Sequence, residues 1–252
     1  MSSEPLDTTR AQELAASLLT LADAPARGEN DEHLLRRLAH VTALVPGVDA
    51  AACSLIGPEG VPWRMAASDE RTRRLECLQA ESRMGPCLDI ARGRGPLANV
   101  PMSHPHSRTR WPRFTSRALS EGFTAVTALP LAHQDRALGA LDLYHQHGRL
   151  EQSGIGWARL LADATAVGLT HREVLRDALV RGDQLQNALN SRVVIEQAKG
   201  ILAERLDCDL QEAFEQLRGH ARAERMKLAD LAAQIVGSPS DSSPFPRRRR
   251  AV

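Results

Sequence analysis

Apolar and polar positions along this chain follow two different periods. From residue 10 to 47 the spacing is helical. RAQELAASLLTLAD carries Leu14, Leu18 and Leu21 on one side; EHLLRRLAHVTALV carries Leu34, Leu35, Leu38 and Val41, with Asp31 as its expected cap and Pro46-Gly47 as its end. The pattern then shortens to that of strands. VDAAACSLIG and VPWRMAAS flank a Pro-Glu-Gly turn and predict a hairpin, and FTAVTALPLA and ALGALDLYHQ flank HQDR and predict a second. DERTRRLECLQAE and PRFTSRALSEG predict short helices, PLANV a brief strand, and PMSHPHSRTRWP (residues 101–112) a loop bearing prolines and histidines. Hairpins with helices between and around them predict an antiparallel sheet in an α/β sandwich that ends near residue 148.

From Gly154 onward the strand pattern stops and a helical period runs almost unbroken to Leu206, with Gly168 and Gly182 as its weak points. DLQEAFEQLRGHARAER and KLADLAAQIVG predict two further helices. Asp209 and Glu212 have the spacing of a capping box. The expected core faces are Leu210, Ala213, Phe214, Leu217 and Ala221 on the first and Leu228, Leu231, Ala232 and Ile235 on the second. At 100° per residue, Val194, Ile195, Ala198, Ile201, Leu202 and Leu206 share one arc, whereas Leu185, Leu189 and Val193 lie roughly opposite. A helix packed on one core does not change faces in this way. Its first half is expected to pair with another helix and its second half to cover a small bundle. The seam Leu175, Leu179, Leu185 and Leu189 is interrupted by Gly182 and Gln186. It fits a parallel homodimer, with an intramolecular antiparallel contact as the alternative.

Composition narrows the classes. A length of 252 residues suits one large or two smaller domains, and a formal net charge of +1 argues against a protein that uniformly coats nucleic acid or a membrane surface. The four cysteines, Cys53, Cys77, Cys87 and Cys208, form no CxxC pair and no zinc-ligand spacing, so no metal is expected. With no signal peptide and no apolar run near the roughly 20 residues of a membrane span, the expected location is cytoplasmic, with free thiols and no membrane contact. No Gly-rich phosphate loop, Ser-His-Asp order or other catalytic constellation is present, and the chain is not expected to be an enzyme.

Lysine use is the oddity. The chain has two lysines, Lys199 and Lys227, both in the C-terminal module, and Lys199 precedes Gly200 inside a helix, where glycine costs roughly 1 kcal/mol against alanine. Arg192 sits seven residues before Lys199 on the same side, and Arg218, Arg222 and Arg225 form a basic stripe. Such a stripe is equally the mark of a solvated face. Glu196, Glu204, Asp207, Glu212 and Glu224 leave the module about neutral, so charge alone does not identify a polyanion site.

The ordered pattern SRVVIEQAKGILAERL…DLQEAFEQLRGHARAERMKLADLA resembles the ANTAR family of RNA-binding antiterminator modules. The resemblance spans about residues 185–237 and implies a module that, as a dimer, holds tandem RNA stem-loops in transcript leaders and keeps a terminator stem from forming. By position, Arg192, Ala198, Lys199, Gly200, Arg222 and Lys227 carry the motif, and Arg218 joins them from the basic stripe. One departure lies in the connector after the first helix, where the family usually has glycine and this chain has Asp207. The physics agrees with this reading. Gly200 leaves room for an RNA backbone or loop base, and Lys199 offers a compact charge beside that gap. Phe214, the module's one aromatic, is assigned to the core, so recognition should rest on the shape and exposed bases of a folded loop rather than on stacking.

GPCLD (residues 85–89), RWPRF (110–114) and ALPL…LGALDLY (128–144) resemble GAF sensor domains, over about residues 30–165. This implies a small-molecule pocket between sheet and helices, with the ligand, and any cofactor, unknown. Cys87, Asp89 and Trp111 are the candidate ligand residues; Cys87 would be a redox or chromophore-linking thiol or a packed small residue, and Trp111 would line a pocket or pack in the core. His104 and His106, with Asp89, would suit a metal or haem, or a solvated loop. Trp63 would line a pocket or pack in the core, and Asp142 would read a polar ligand group or alternate outward. The expected fold is therefore α+β: an N-terminal segment with a helix (1–29), a GAF-like antiparallel-sheet domain (30–165), a helical linker or coiled coil (166–184), a three-helix ANTAR-like module (185–237) and an unstructured basic tail (238–252). Rival readings are a three-helix DNA-binding regulator, a thiol-dependent enzyme using Cys77 or Cys87, and a chain whose polyanion affinity comes mainly from Arg247 to Arg250.

Overall fold

The computed structural model describes residues 8–23, 28–134, 136–237 and 245. The expected disorder of the extreme N-terminus falls mostly outside these residues, as does most of the basic tail and Asp135 of the second hairpin turn. The chain divides into two compact units, residues 1–175 and 176–252.

In the first unit, α1 (Thr8–Ala22) and α2 (Asp31–Thr42) precede β1 (Ala50–Ile56), β2 (Pro62–Ala67), α3 (Glu70–Ser82), α4 (Pro86–Ala91), β3 (Leu97–Pro101), α5 (Pro105–Arg110), α6 (Pro112–Ser120), β4 (Ala125–His133) and β5 (Arg136–His145). The five strands form one sheet in the order β2-β1-β5-β4-β3, with every neighbouring pair antiparallel. Alternation along the strands divides their side chains between two layers. Cys53, Leu129, Leu131, Leu141 and Leu143 face a core shared with Leu14, Leu21, Leu34, Leu35, Leu38, Leu161 and Leu169 of the flanking helices. Ala50, Ala52, Val126 and Tyr144 face Leu75, Trp111, Phe114 and Phe123 on the other side.

Two local expectations are corrected. Helix α2 is capped by Asn30, whose side chain accepts the His33 N–H, so Asp31 is the first helical residue, where its charge suits the positive end of the helix. Residues 105–110, expected as loop, form α5. Pro105 occupies the first helical turn, where its missing N–H costs nothing, and His104 Nδ1 accepts the His106 N–H at 3.2 Å.

Helix α7 (Gln152–Leu206) contributes its first third to this unit, burying Ala158, Leu161, Ala162, Ala166 and Leu169. Gly168, a weak point by propensity, is required by packing. A Cβ there would lie 2.3 Å from the Leu21 carbonyl oxygen, so glycine is what lets α1 and α7 approach.

The second unit consists of the rest of α7, α8 (Leu210–Ala223) and α9 (Leu228–Gly237) around a core of Ala198, Leu202, Ala213, Leu217, Ala221, Leu231, Ala232 and Ile235. Asp209 caps α8 through the Glu212 N–H. Leu210, expected in the core, is instead exposed, because the α8 face is set by Ala213, Leu217 and Ala221, one turn further on. Phe245, in the stretch expected to be unstructured, is the described residue of the tail. It is buried against this core, its ring 5.0 Å from that of His220. Asp207 has φ 53°, the left-handed conformation that glycine adopts without strain at a helix end. The departure from the family pattern therefore leaves the turn type intact, at a cost in strain.

Candidate nucleic-acid interface and sensor core

In the second unit, the apolar arc Val194, Ile195, Ala198, Ile201, Leu202 and Leu206 turns into the bundle, as the wheel requires. Arg192, Arg218, Arg222 and Lys227 are exposed, and among the described residues none of them enters an ion pair. Arg225 does not extend the stripe. It lies beyond the end of α8 with φ 55°, so the helical row contains Arg218 and Arg222 only. Ala198 is buried and Gly200 is exposed, and a Cβ built on Gly200 would meet nothing within 4 Å. Packing therefore does not require this glycine, unlike Gly168.

Lys199 is held from two sides. Its Nζ donates to both carboxylate oxygens of Glu196, at 3.0 and 2.9 Å, and lies 5.5 Å from the centroid of the Phe214 ring. Phe214, expected as a pure core residue, is half-buried and supports the ammonium through its π face. Glu196 was treated in the sequence only as a neutralising charge. The signal that marks it is its i, i+3 spacing from Lys199.

The arc opposite this bundle is bare. Every residue from 174 to 190 is exposed, and Leu175, Leu179, Leu185, Leu189 and Val193 fall within roughly 120° at 100° per residue. Most helical stability in proteins comes from packing an apolar face rather than from propensity, so such a face calls for a partner.

In the first unit the three predicted ligand residues are all buried. Trp111 Nε1–H donates to Asp89 Oδ2 at 2.7 Å, and Arg110 Nε lies 2.7 Å from the same oxygen. The structure thus brings Asp89 and Trp111 together as a buried pair tying α4 to the start of α6. Cys87 packs in α4, and burial pushes its thiol well above the ordinary range, opposite to what a nucleophile needs. Cys77 is half-buried, with its Sγ 3.9 Å from both Arg73 Nη1 and Met65 Sδ. Trp63 is exposed on the edge strand β2 under the Arg64 guanidinium, so it does not pack in the core.

Sequence reasoning did not find the polar cluster at the centre of this unit. Asp142 points inward, not outward, and is fully buried with Glu76, Gln79, Ser54 and Tyr144. Gln79 Nε2 donates to Glu76 Oε1 at 3.0 Å and to Asp142 Oδ2 at 2.8 Å, while its Oε1 accepts the Cys87 N–H at 2.9 Å. Ser54 and Tyr144 hydroxyls donate to Glu76 at 2.6 and 3.0 Å. Desolvation, followed by the nearby Glu76 charge, pushes Asp142 well above the usual carboxylate range; desolvation also raises Glu76. With three donors on Glu76 and one on Asp142, the charge belongs to Glu76 and the proton to Asp142. The proton on Asp142 faces its neighbour: the hydrogen bond between the two carboxyls lowers Glu76 and raises Asp142. Gly85 opens α4 with φ 152°, and a Cβ there would collide with Gln79 Oε1 at 2.1 Å, which is why glycine begins the GPCLD segment. A separate depression of about 530 Å³ lies between α3 and α6, lined by Leu78, Arg113, Ser116 and Arg117 among others. It includes none of Cys87, Asp89 and Trp111.

Among the described residues, no group of three or more metal-ligating side chains comes together, and no helix is long and apolar enough to cross a membrane.

Among solved structures, the chain is similar to the GAF domain of a phosphoenolpyruvate-protein phosphotransferase from Coxiella burnetii (15% identity, 66% of this chain and 98% of that one, TM-score 0.49). It is also similar to the corresponding domain from Acinetobacter (12%, 64% and 94%, TM-score 0.46) and to the phycoerythrobilin-bound GAF domain of a cyanobacterial phytochrome (13%, 64% and 96%, TM-score 0.45). No curated protein matches the sequence. The family model of the ANTAR domain matches residues 183–236, which cover the second half of α7, α8 and nearly all of α9. The C-terminal module of this chain is an ANTAR domain.

Proposed function

We propose that the protein is a signal-responsive transcription antitermination regulator of the cytoplasm. Its ANTAR domain binds tandem RNA stem-loops in transcript leaders as a homodimer, under the control of a GAF-like sensor unit. The observation that carries this reading is the coincidence of the ANTAR match with four exposed cations, Arg192, Arg218, Arg222 and Lys227, that bundle packing does not use. Cations of this kind hold phosphates and set register, while Lys199 and the open backbone at Gly200 meet the loop. The bare stripe from Leu175 to Val193 supports dimerisation: two copies paired along it would present two modules to two stem-loops, turning the second contact into an intramolecular one. The sensor's small-molecule input is assigned to the side of the sheet that carries Cys87, Asp89 and Trp111.

The test is sequencing of RNA that co-purifies with the full chain, followed by competition of a recovered two-hairpin RNA against duplex DNA. Recovery of a shared tandem hairpin that duplex DNA does not displace is expected. Substituting Arg222 by alanine should weaken hairpin binding roughly uniformly across sequences and reduce the salt slope by about 1. Preference for duplex DNA would replace this reading with that of a DNA-binding regulator.

A further inference from the structure

The pairing of Lys199 with Glu196 bears on what this module recognises. An ammonium chelated by a carboxylate has no net charge to offer a phosphate, and Glu196, with its side chain 57% exposed, would repel one. The Lys199 side chain is only 18% exposed, held over Phe214 and beside the open backbone of Gly200. Arg192, Arg218 and Arg222 of the same module, exposed and with no carboxylate partner among the described residues, are left for the phosphates. What the pair does offer is a donor set against two acceptors. Lys199 Nζ has three N–H groups, two of them on Glu196, and the Glu196 oxygens keep lone pairs beyond those that the lysine takes.

We propose that Glu196 and Lys199 together read the Watson–Crick edge of an unpaired guanine in the bound RNA loop, so that Glu196 is a specificity-determining residue of the module. This rests on the RNA-binding reading above. Guanine presents an acceptor, O6, beside two donors, N1–H and the N2 amino group. Nζ shifts off the carboxylate axis, keeps one Glu196 oxygen and gives the freed N–H to O6; Glu196 accepts from N1–H and N2–H. The other bases offer at most two matching contacts. Adenine and cytosine each give one donor to Glu196 and one acceptor to Lys199, and uracil gives O4 and N3–H. The missing contact leaves a carboxylate oxygen desolvated without a donor, which is how a site built for a hydrogen bond rejects a base that lacks it.

The test uses the full chain and a tandem-hairpin RNA library with randomised loops. The wild type is expected to enrich guanine at one fixed loop position. Replacing that guanosine by inosine, which removes only the N2 amino group, should weaken binding about tenfold, within the range of a lost base-edge contact. Glu196→Gln, at an exposed position whose helicity is checked by circular dichroism, should still bind but should treat guanosine and inosine alike. Unchanged guanine enrichment by Glu196→Gln would overturn the inference and leave RNA binding standing. So would uniform tightening on every RNA, which would make Glu196 a mere counter-charge. Failure of the wild type to enrich any hairpin would overturn both the inference and the reading on which it rests.

Discussion

Asn99 and Leu150 exchange two hydrogen bonds: Asn99 Nδ2 donates to the Leu150 carbonyl at 3.0 Å, and Asn99 Oδ1 accepts the Leu150 N–H at 2.7 Å. A single side chain thus substitutes for a strand partner and fixes the segment that leads into α7. Asn99 has φ 50°, a conformation that asparagine tolerates better than most residues. Asn99→Ala removes both bonds and adds strain. It should lower the stability of the first unit by about 1–3 kcal/mol, read by denaturant unfolding, with faster amide exchange at Leu150.

The same strand edge carries a chain of bonds that ends on His145. Asn99 N–H donates to Thr127 Oγ1, the Thr127 hydroxyl donates to His145 Nε2, and His145 Nδ1–H donates to the Gly47 carbonyl. Burial lowers the imidazole below its ordinary value, because the charged ring would lose hydration that the Gly47 carbonyl and the Asp49 charge only partly replace. The unfolded chain therefore takes up the proton first as pH falls. Stability should be at its full value above about pH 6.5 and decline as pH drops through the window below it, a decline that His145→Asn should remove from the pH profile.

Asp142 contributes with the opposite sign. Its native pKa is raised, so below about pH 3.9 both states hold the proton, and as pH rises the unfolded chain releases it while the native chain keeps it. This contribution to stability is thus present in acid and lost as pH rises. Asp142→Asn keeps the shape, removes the ionisable group and can donate to Glu76. It should raise the thermal midpoint at pH 7 and change it little near about pH 3.

Two substitutions in the ANTAR domain should separate stability from recognition. Asp207→Gly relieves a left-handed non-glycine residue and Gly200→Ala removes a helical glycine in open space, so each should stabilise the module by about 0.5–1 kcal/mol. Gly200→Ala should weaken hairpin binding, and Asp207→Gly should not. Equal hairpin affinities for the two would show that the bare backbone at Gly200 has no part in contact.

The exposed stripe on α7 yields a prediction on assembly. Leu179→Lys with Leu189→Lys places charge at two points along the seam. Analytical ultracentrifugation should show a monomer in place of a dimer. Affinity for a tandem hairpin should fall by at least about 100-fold, while that for a single hairpin should change little.

The sequence by itself determined the periodicities, and with them the element types and their order. Period-2 runs gave the antiparallel hairpins, period-3.6 runs gave the helices, and the change of face near residue 193 separated an unpartnered stripe from a bundle face. These are local properties, written in which neighbours are apolar. The ANTAR pattern was legible for the same reason, since Arg192, Lys199 and Gly200 lie on one continuous helix. Helix α5 was missed because its helical signal is one short turn set by Pro105 and the His104 cap, with no apolar stripe behind it. What only the tertiary structure decided depends on residues distant in sequence. Gly168 and Gly200 look alike as helical glycines, yet one is required by the Leu21 carbonyl and the other by nothing in the fold. Asp142 could not be assigned to a buried cluster from strand alternation, because the residues that stabilise it there, Glu76 and Gln79, come from a different helix. Lys199 was visible as a charge, but only the folded chain sets Phe214 of α8 beneath it and so fixes the cation beside Glu196 as one half of a neutral pair.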